Sequence, residues 1–339
     1  MPAAVSSFGE ANERGGLHEV LQFGYLLRAI RRSNAIEFTP MIIVRLMGGL
    51  GNQMFQYAAG LRLATQHQTR LKLDLTFLLD RSPRENFTYR DFDLVIFGFP
   101  TEIATAAEVR RFRRLAPTTS RSMWKRAVNT LGRRHYYLET NFAFDPRVLE
   151  LPGHTYLEGY FQSERYFADI AAEIRRRFCL ETDEKALPSP TRRLADEIRT
   201  ENGICMNVRR GDYVTIPSHN RFHGVCPLEY FVGGLSELRG RGATGRGFVF
   251  SDDVEWCRDN FGNRGDLTIV GEEHAGPRFS TKLWLMSLCR HFVIPNSSFG
   301  WWAAWLARGE HKMVVSPLNW LANPNIDTSD LIPPDWIRI

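Results

Sequence analysis

Residues 41–58 read Met41-Ile-Ile-Val-Arg-Leu46-Met-Gly48-Gly-Leu-Gly51-Asn52-Gln53-Met-Phe-Gln-Tyr-Ala58. An apolar run ends in three glycines within four positions. An amphipathic stretch then continues to about Gln68, with Met54, Phe55, Ala58, Leu61 and Leu63 as its apolar positions. Strand, glycine turn and helix start follow one another without a linker, which is the opening of a parallel βα unit. Glycine reaches backbone angles closed to other residues and lets a ligand approach the chain, while the first N–H groups of a helix are unpaired donors. The turn therefore has two readings, an anion-facing loop to which Asn52 adds an amide, or a tight structural corner. GGLG is neither GxGxxG nor GxxxxGK[ST], so the turn alone does not decide between them.

Outward from this unit the pattern repeats. Extended segments are expected at 41–46, 70–75, 154–161, 203–208, 247–251, 267–270, 291–295 and 312–316. Helical spacing falls between them at 52–68, 164–178, 188–200, 227–239, 253–260, 280–289 and 299–308. Such alternation predicts an α/β protein with parallel sheets covered by helices. The polar stretch Glu181 to Pro190 is the best boundary, dividing the chain into an extension (1–40), a first domain (41–185) and a second domain (186–339).

The chain has 339 residues, 43% of them hydrophobic, with net charge +5, which suits an ordinary globular protein of two domains. Its five cysteines are scattered and never spaced as CxxC, against a disulfide framework or a zinc site and in favour of a reducing, cytoplasmic compartment. No apolar run approaches the ~20 residues of a membrane span. Only five basic residues are lysine, so 38 of the 43 are arginine. They are dispersed and match no nucleic-acid-binding motif, which argues against a nucleic-acid partner. Within residues 1–40, Leu17, Val20, Leu21, Leu27 and Ile30 follow helical spacing beside Arg28, Arg31 and Arg32. That segment reads either as a dispensable extension before Met41 or as a basic amphipathic helix making peripheral contact with the inner membrane surface.

Three later strand ends carry polar groups, and in open α/β sheets ligands bind at the carboxyl ends of strands. Cys205-Met-Asn207-Val-Arg209-Arg210-Gly-Asp212-Tyr213 ends an apolar strand in two arginines and an aspartate. Paired guanidiniums there suit a phosphate, and Asp212 could orient one of them. Phe248-Val-Phe-Ser-Asp252-Asp253 ends another; Asp253 fits the N-cap of the next helix, leaving Asp252 as the ligand-facing carboxylate. Phe292-Val-Ile-Pro-Asn296-Ser297-Ser298-Phe299-Gly-Trp-Trp302 places hydroxyls at a helix start, again suited to a phosphate. Trp301, Trp302 and Trp305 have the spacing of a buried helix face.

Taken together, MGGLGNQMFQYAAGLRLA, NVRRGDYV, FSDDVEWCR, CRHFVIPNSSFGWWAAWL and LEGYFQSERYF resemble the ordered motifs of bacterial α-1,2-fucosyltransferases, glycosyltransferase family 11, from Met41 to about Pro317. The resemblance implies a GT-B-like fold of two Rossmann-like domains facing across a cleft. It implies inverting transfer of L-fucose from GDP-β-L-fucose to a hydroxyl of a glycan acceptor, free or lipid-linked, such as the 2-OH of a galactoside, without a metal or other cofactor. It further implies that Arg209, Asp212 and Asn52 serve the reacting centre. Gly49, Gly51, Gln53, Asn207, Arg210, Asp252, Asn296, Ser297, Ser298 and Phe299 would meet the donor. The superfamily pattern is HxRRxD, and Asn207 stands where its histidine would be; an amide cannot take a proton near neutral pH. Asp212, Glu229, Asp91 and His154 all have suitable chemistry for the base, and the sequence does not rank them.

Overall fold

Ile42, Ile43 and Val44 are β-branched and wholly buried, and they extend as the strand β1 (Met41–Arg45). Gly48 turns the chain at φ +75°, in the left-handed region, and α1 (Leu50–Gln66) starts at once. The computed structural model describes residues 40–114, 135–180, 184–276 and 278–339. The expected N-terminal helix, most of the arginine-rich 110–134 segment and the first residues of the 181–190 boundary lie outside the described residues.

Both sheets are parallel throughout. The first contains β1, β2 (Arg70–Asp74), β3 (Glu102–Ile103), β4 (His135–Leu138) and β5 (Thr155–Glu158) in the order β3-β2-β1-β5-β4. The second contains β6 (Ile204–Val208), β7 (Gly247–Ser251), β8 (Leu267–Val270), β9 (His291–Val293), β10 (Val314–Ser316) and β11 (Ile337–Arg338) in the order β11-β10-β9-β6-β7-β8. The intervening helices include α2 (Ala106–Arg113), α3 (Ala171–Arg177), α4 (Ser189–Thr200), α5 (Leu228–Gly240), α6 (Val254–Phe261), α7 (Phe279–Ser287) and α8 (Ser298–Leu306). All eight expected strands form; β3, β4 and β11 are additions. Glu102–Ile103 and Ile337–Arg338 are two residues long and sit at sheet edges, too short to show a period. The α/β architecture with two parallel sheets across a cleft is therefore as the sequence implies. In each sheet the order reverses beside its first strand, between β1 and β5 and between β6 and β9. Crevices open above the carboxyl ends of strands at such reversals.

One large apolar cluster is shared by both halves. Trp301 and Trp302 of α8 are fully buried, with ring centroids 4.5 and 4.9 Å from that of Phe55 of α1. Each indole N–H of the helix is satisfied: Trp301 donates to the Leu331 carbonyl, Trp302 to the Gly51 carbonyl and Trp305 to Glu164, all at 2.9 Å. The expectation that these tryptophans are packing residues holds. All five cysteines are free thiols, four of them buried. Among the described residues no helix is long and apolar enough to cross a membrane.

Candidate functional site

The two strand reversals face a common cleft of about 650 Å³, walled by the glycine loop and residues 87–93 on one side and by the ends of β6, β7 and β9 on the other. Arg209, first residue past β6, forms an ion pair with Asp212 and a second with Asp252 at 2.7 Å. Asp212 is also held by Arg90, which reaches it from the opposite wall at 2.6 Å, and lies 3.5 Å from His219. Burial alone would raise the Asp212 carboxyl, but the charges of Arg209, Arg90 and His219 outweigh it and hold it below the usual range. Arg209 is thus a fixed cation on the cleft wall, kept in place by two carboxylates.

The turn after β9 supplies the facing helix start. Asn296 is buried, donating to the His223 carbonyl at 2.7 Å and to that of Trp320 at 3.3 Å, so it fixes the turn in place. Ser297 occupies the N-cap of α8 without capping it through its side chain, and Ser298 and Phe299 begin the helix on the cleft wall. Gly51 is where this helix start meets α1. A Cβ on Gly51 would lie 2.5 Å from the Ser298 carbonyl carbon and 2.7 Å from the Phe299 nitrogen. Two helix N-termini therefore converge on one patch of the cleft, and their dipoles add there. Gly49 is the N-cap of α1, its carbonyl accepting from Asn52 and Gln53. Asn52 lines the cleft with its Oδ1 accepting from Gln162 at 2.7 Å, which orients both amides.

Two sequence expectations, Gln53 and Arg210, are corrected by geometry. Gln53 is wholly buried and does not line the cleft. Its Nε2 donates to the carbonyls of Gly48 and Asp91 at 2.9 and 2.7 Å, and its Oε1 accepts from the Asp93 N–H at 2.9 Å. It is a strut between the glycine loop and residues 91–93. Arg210 turns away from the cleft: its Nε donates to Asp253 at 3.0 Å and its guanidinium stacks 4.2 Å over Trp256. Gly51 is buried against α8, where it sets the helix contact, and it also lines the cleft. Asn207 lines the cleft floor, donating to the Phe250 carbonyl at 3.2 Å. The Asp253 side chain caps α6, accepting from Trp256 N–H, and Asp252 stays on the cleft wall, as expected.

Of the base candidates, His154 precedes β5 at the opposite end of the sheet, packed against Phe112. Glu229 is exposed in the first turn of α5, outside the cleft wall. Asp91 lines the cleft but is ion-paired to Arg81 at 2.5 Å. Sequence reading missed Arg90 and Asp93, as well as the aromatic wall of Phe77, Phe87, Tyr89 and Tyr160. Phe87, Tyr89 and Arg90 come from the irregular connection after β2, Phe77 from the four-residue helix Thr76–Leu79, Asp93 from the start of the 3-10 helix Asp93–Phe97, and Tyr160 from the segment after β5, all too short or irregular to show a period.

The strut role of Gln53 has a measurable consequence. Gln53→Met keeps volume but strips buried partners from two carbonyls and one N–H. Stability is expected to fall by about 2–4 kcal/mol, given ~1–3 kcal/mol for each buried polar group left unmade and partial relaxation. Urea unfolding measures it; a loss under about 0.5 kcal/mol would refute the strut.

The family model described as glycosyl transferase family 11 matches residues 109–339. Among relatives, an α-1,2-colitosyltransferase of Escherichia coli is 30% identical over 88% of this chain and 99% of that protein. The O-antigen biosynthesis glycosyltransferase WbnK of the same species is 31% identical over 87% of this chain and 99% of that protein. A galactoside α-(1,2)-fucosyltransferase 2 of Sus scrofa is 29% identical over 61% of this chain and 62% of that protein.

Proposed function

This chain belongs to glycosyl transferase family 11, is a fucosyltransferase-like enzyme, and from that premise we propose that it moves L-fucose from GDP-β-L-fucose to the 2-OH of a galactoside, with inversion. The observation that carries the reading is Arg209, a braced cation at the reversal of the second sheet, facing the converging starts of α1 and α8. A diphosphate leaving group needs preorganised positive charge where its own charge grows. Arg209 and the first N–H groups of α8, with the hydroxyls of Ser297 and Ser298, have that character, and Asp252 would steady Arg209. The guanosine end then lies toward β7 and the sugar toward Asn52 and the glycine loop. The acceptor enters against Phe77, Phe87, Tyr89 and Tyr160, whose faces suit a sugar ring. Four buried free thiols suit a reducing, cytoplasmic setting.

The transfer is a single displacement: the acceptor oxygen bonds to the anomeric carbon as the bond to the β-phosphate breaks with its electron pair. We propose that this step runs without a metal, because Asp252 and Asp253 are each engaged by an arginine instead of standing as an open DxD pair. Transfer rates are expected to be unchanged by EDTA; a chelator-sensitive rate restored by a divalent ion would overturn this.

A second donor is favoured by the relative named a colitosyltransferase, since colitose is L-fucose lacking its 3-hydroxyl. Calorimetry with GDP, UDP and ADP, followed by turnover of GDP-fucose and GDP-colitose on a galactoside panel with linkage analysis, tests both. Failure to prefer GDP would sink the nucleotide assignment, and turnover of GDP-colitose alone would replace fucose.

A further inference from the structure

Attack by an acceptor hydroxyl needs somewhere for its proton to go, and the cleft holds four described carboxylates, Asp91, Asp93, Asp212 and Asp252. Asp212 and Asp252 are held by guanidiniums on the cleft wall, and Asp91 is a largely exposed carboxylate at the solvent edge of the cleft, paired to Arg81. Asp212 is gripped by Arg209 and Arg90, and Asp252 by Arg209 and the Arg210 N–H. A carboxylate in such a pair is a poor proton acceptor, because protonation breaks the pair.

Asp93 differs. Its backbone N–H is anchored on Gln53 at 2.9 Å, and its carboxylate accepts from the Leu50 N–H at the start of α1, beside the glycine loop. The charged groups that face it are Asp91 and Arg90, while the first turn of α1 contributes no acidic side chain. Burial, then repulsion from Asp91, raise its carboxyl, and Arg90 and the Leu50 N–H only partly offset them, so that it sits at about 6. A base working near neutral pH is best placed with an affinity of that order. The residue also lies on the wall that carries the aromatic faces, across the cleft from Arg209.

We propose that Asp93 is the catalytic base of the transfer, taking the proton of the acceptor hydroxyl as that oxygen bonds to the anomeric carbon. The hydroxyl O–H bond breaks onto an Asp93 oxygen, the departing electron pair stays on the β-phosphate of the nucleotide, and the proton is afterwards lost to solvent. The Gln53 strut fixes the Asp93 backbone beside the glycine loop, and the residue lines the cleft there. The assignment rests on the transferase reading above and names a residue for it.

The test compares the full-length wild type with Asp93→Asn and Asp93→Glu, using GDP-fucose and GDP-colitose with a galactoside, across pH 4.5–9. The wild type is expected to lose kcat as pH falls through about 6, the value for Asp93. Asp93→Asn should lose roughly 10²–10⁴-fold in kcat, the usual contribution of general base catalysis, together with that acid limb. Its GDP affinity by calorimetry should stay at the wild-type level. Asp93→Glu should recover part of kcat with a displaced limb. An Asp93→Asn enzyme that keeps its rate or its acid limb overturns the assignment, as does one that loses GDP binding. Should Asp93→Asn fail to fold, Asp93→Glu decides: a limb displaced from the wild-type pH supports the base, and a limb unmoved overturns it. A wild type that turns over neither donor overturns the donor reading first, and the base with it.

Discussion

Arg209→Ala is expected to reduce kcat by about 10²–10³-fold, the cost of removing one preorganised donor from a developing anion, and to weaken GDP binding as well. Both effects have the same electrostatic origin. Arg209 neutralises Asp212 and Asp252, which line the cleft. Its removal subtracts a cation and leaves Asp252 facing the place where a diphosphate must sit, while Asp212 keeps only Arg90 and His219. Arg209→Lys should recover only part of the loss, because one ammonium cannot span two carboxylates and a phosphate in the way a planar fork does. Arg210→Ala is the control that the geometry supplies. Its guanidinium lies over Trp256 and against Asp253, so its loss should cost some stability and much less of kcat. Steady-state kinetics and calorimetry with GDP read both variants. Equal damage from the two would show that the RR pair acts as a unit and that the division of labour drawn here is wrong.

The second large effect is expected from Gly51→Ala. The added Cβ would stand 2.5 Å from the Ser298 carbonyl carbon, 2.6 Å from its Oγ and 2.7 Å from the Phe299 nitrogen. Two of those three atoms are backbone, so no rotamer change relieves the contact, and α8 must move away from α1. The Trp302 indole N–H, bonded to the Gly51 carbonyl at 2.9 Å, would be strained by the same shift. Overpacking in a rigid interior costs about 1–3 kcal/mol, and the tight backbone contact puts this site near the top of that range. Activity should fall by more than stability alone accounts for, because the displaced turn carries Ser297 and Ser298. Urea unfolding and kcat/KM at a temperature where the variant is folded separate the two losses. A variant as stable and active as the wild type would show that the helix starts do not need this contact.

The elements with a period were readable in the sequence. β1, β6, β7 and β9 are apolar runs ending in glycine, arginine, aspartate or asparagine, and each of those endings lies at the cleft. Asp252, Asp212, Arg209 and the Asn296–Ser298 turn were all found that way. What failed was direction. The RRxD string gives no sign of which arginine turns inward, because that depends on Trp256, five residues beyond the next strand's end, offering its ring to Arg210. Gln53 looks like a ligand-facing position when read along the chain, but its partners are Gly48, Asp91 and Asp93, set by how α1 packs. Arg90 and Asp93 were invisible for a different reason: residues 80–92 form no strand or helix and Asp93 opens a 3-10 helix of five residues, so neither had a period to depart from.

The α1–α8 contact also bears on how the protein comes apart. Phe55, Trp301 and Trp302 lie in a single apolar cluster that runs from β1 through to Trp336 near the carboxyl terminus. A fragment ending before β6 would leave Phe55 and Phe167 without their indole neighbours, and one beginning at α4 would bare Trp301 and Trp302 to water. Each half also carries a cluster of its own, around Ile43 and Tyr156 in the first and around Met206 and Val249 in the second, so the shared cluster is the part of the interior that splitting the chain near residue 185 would expose.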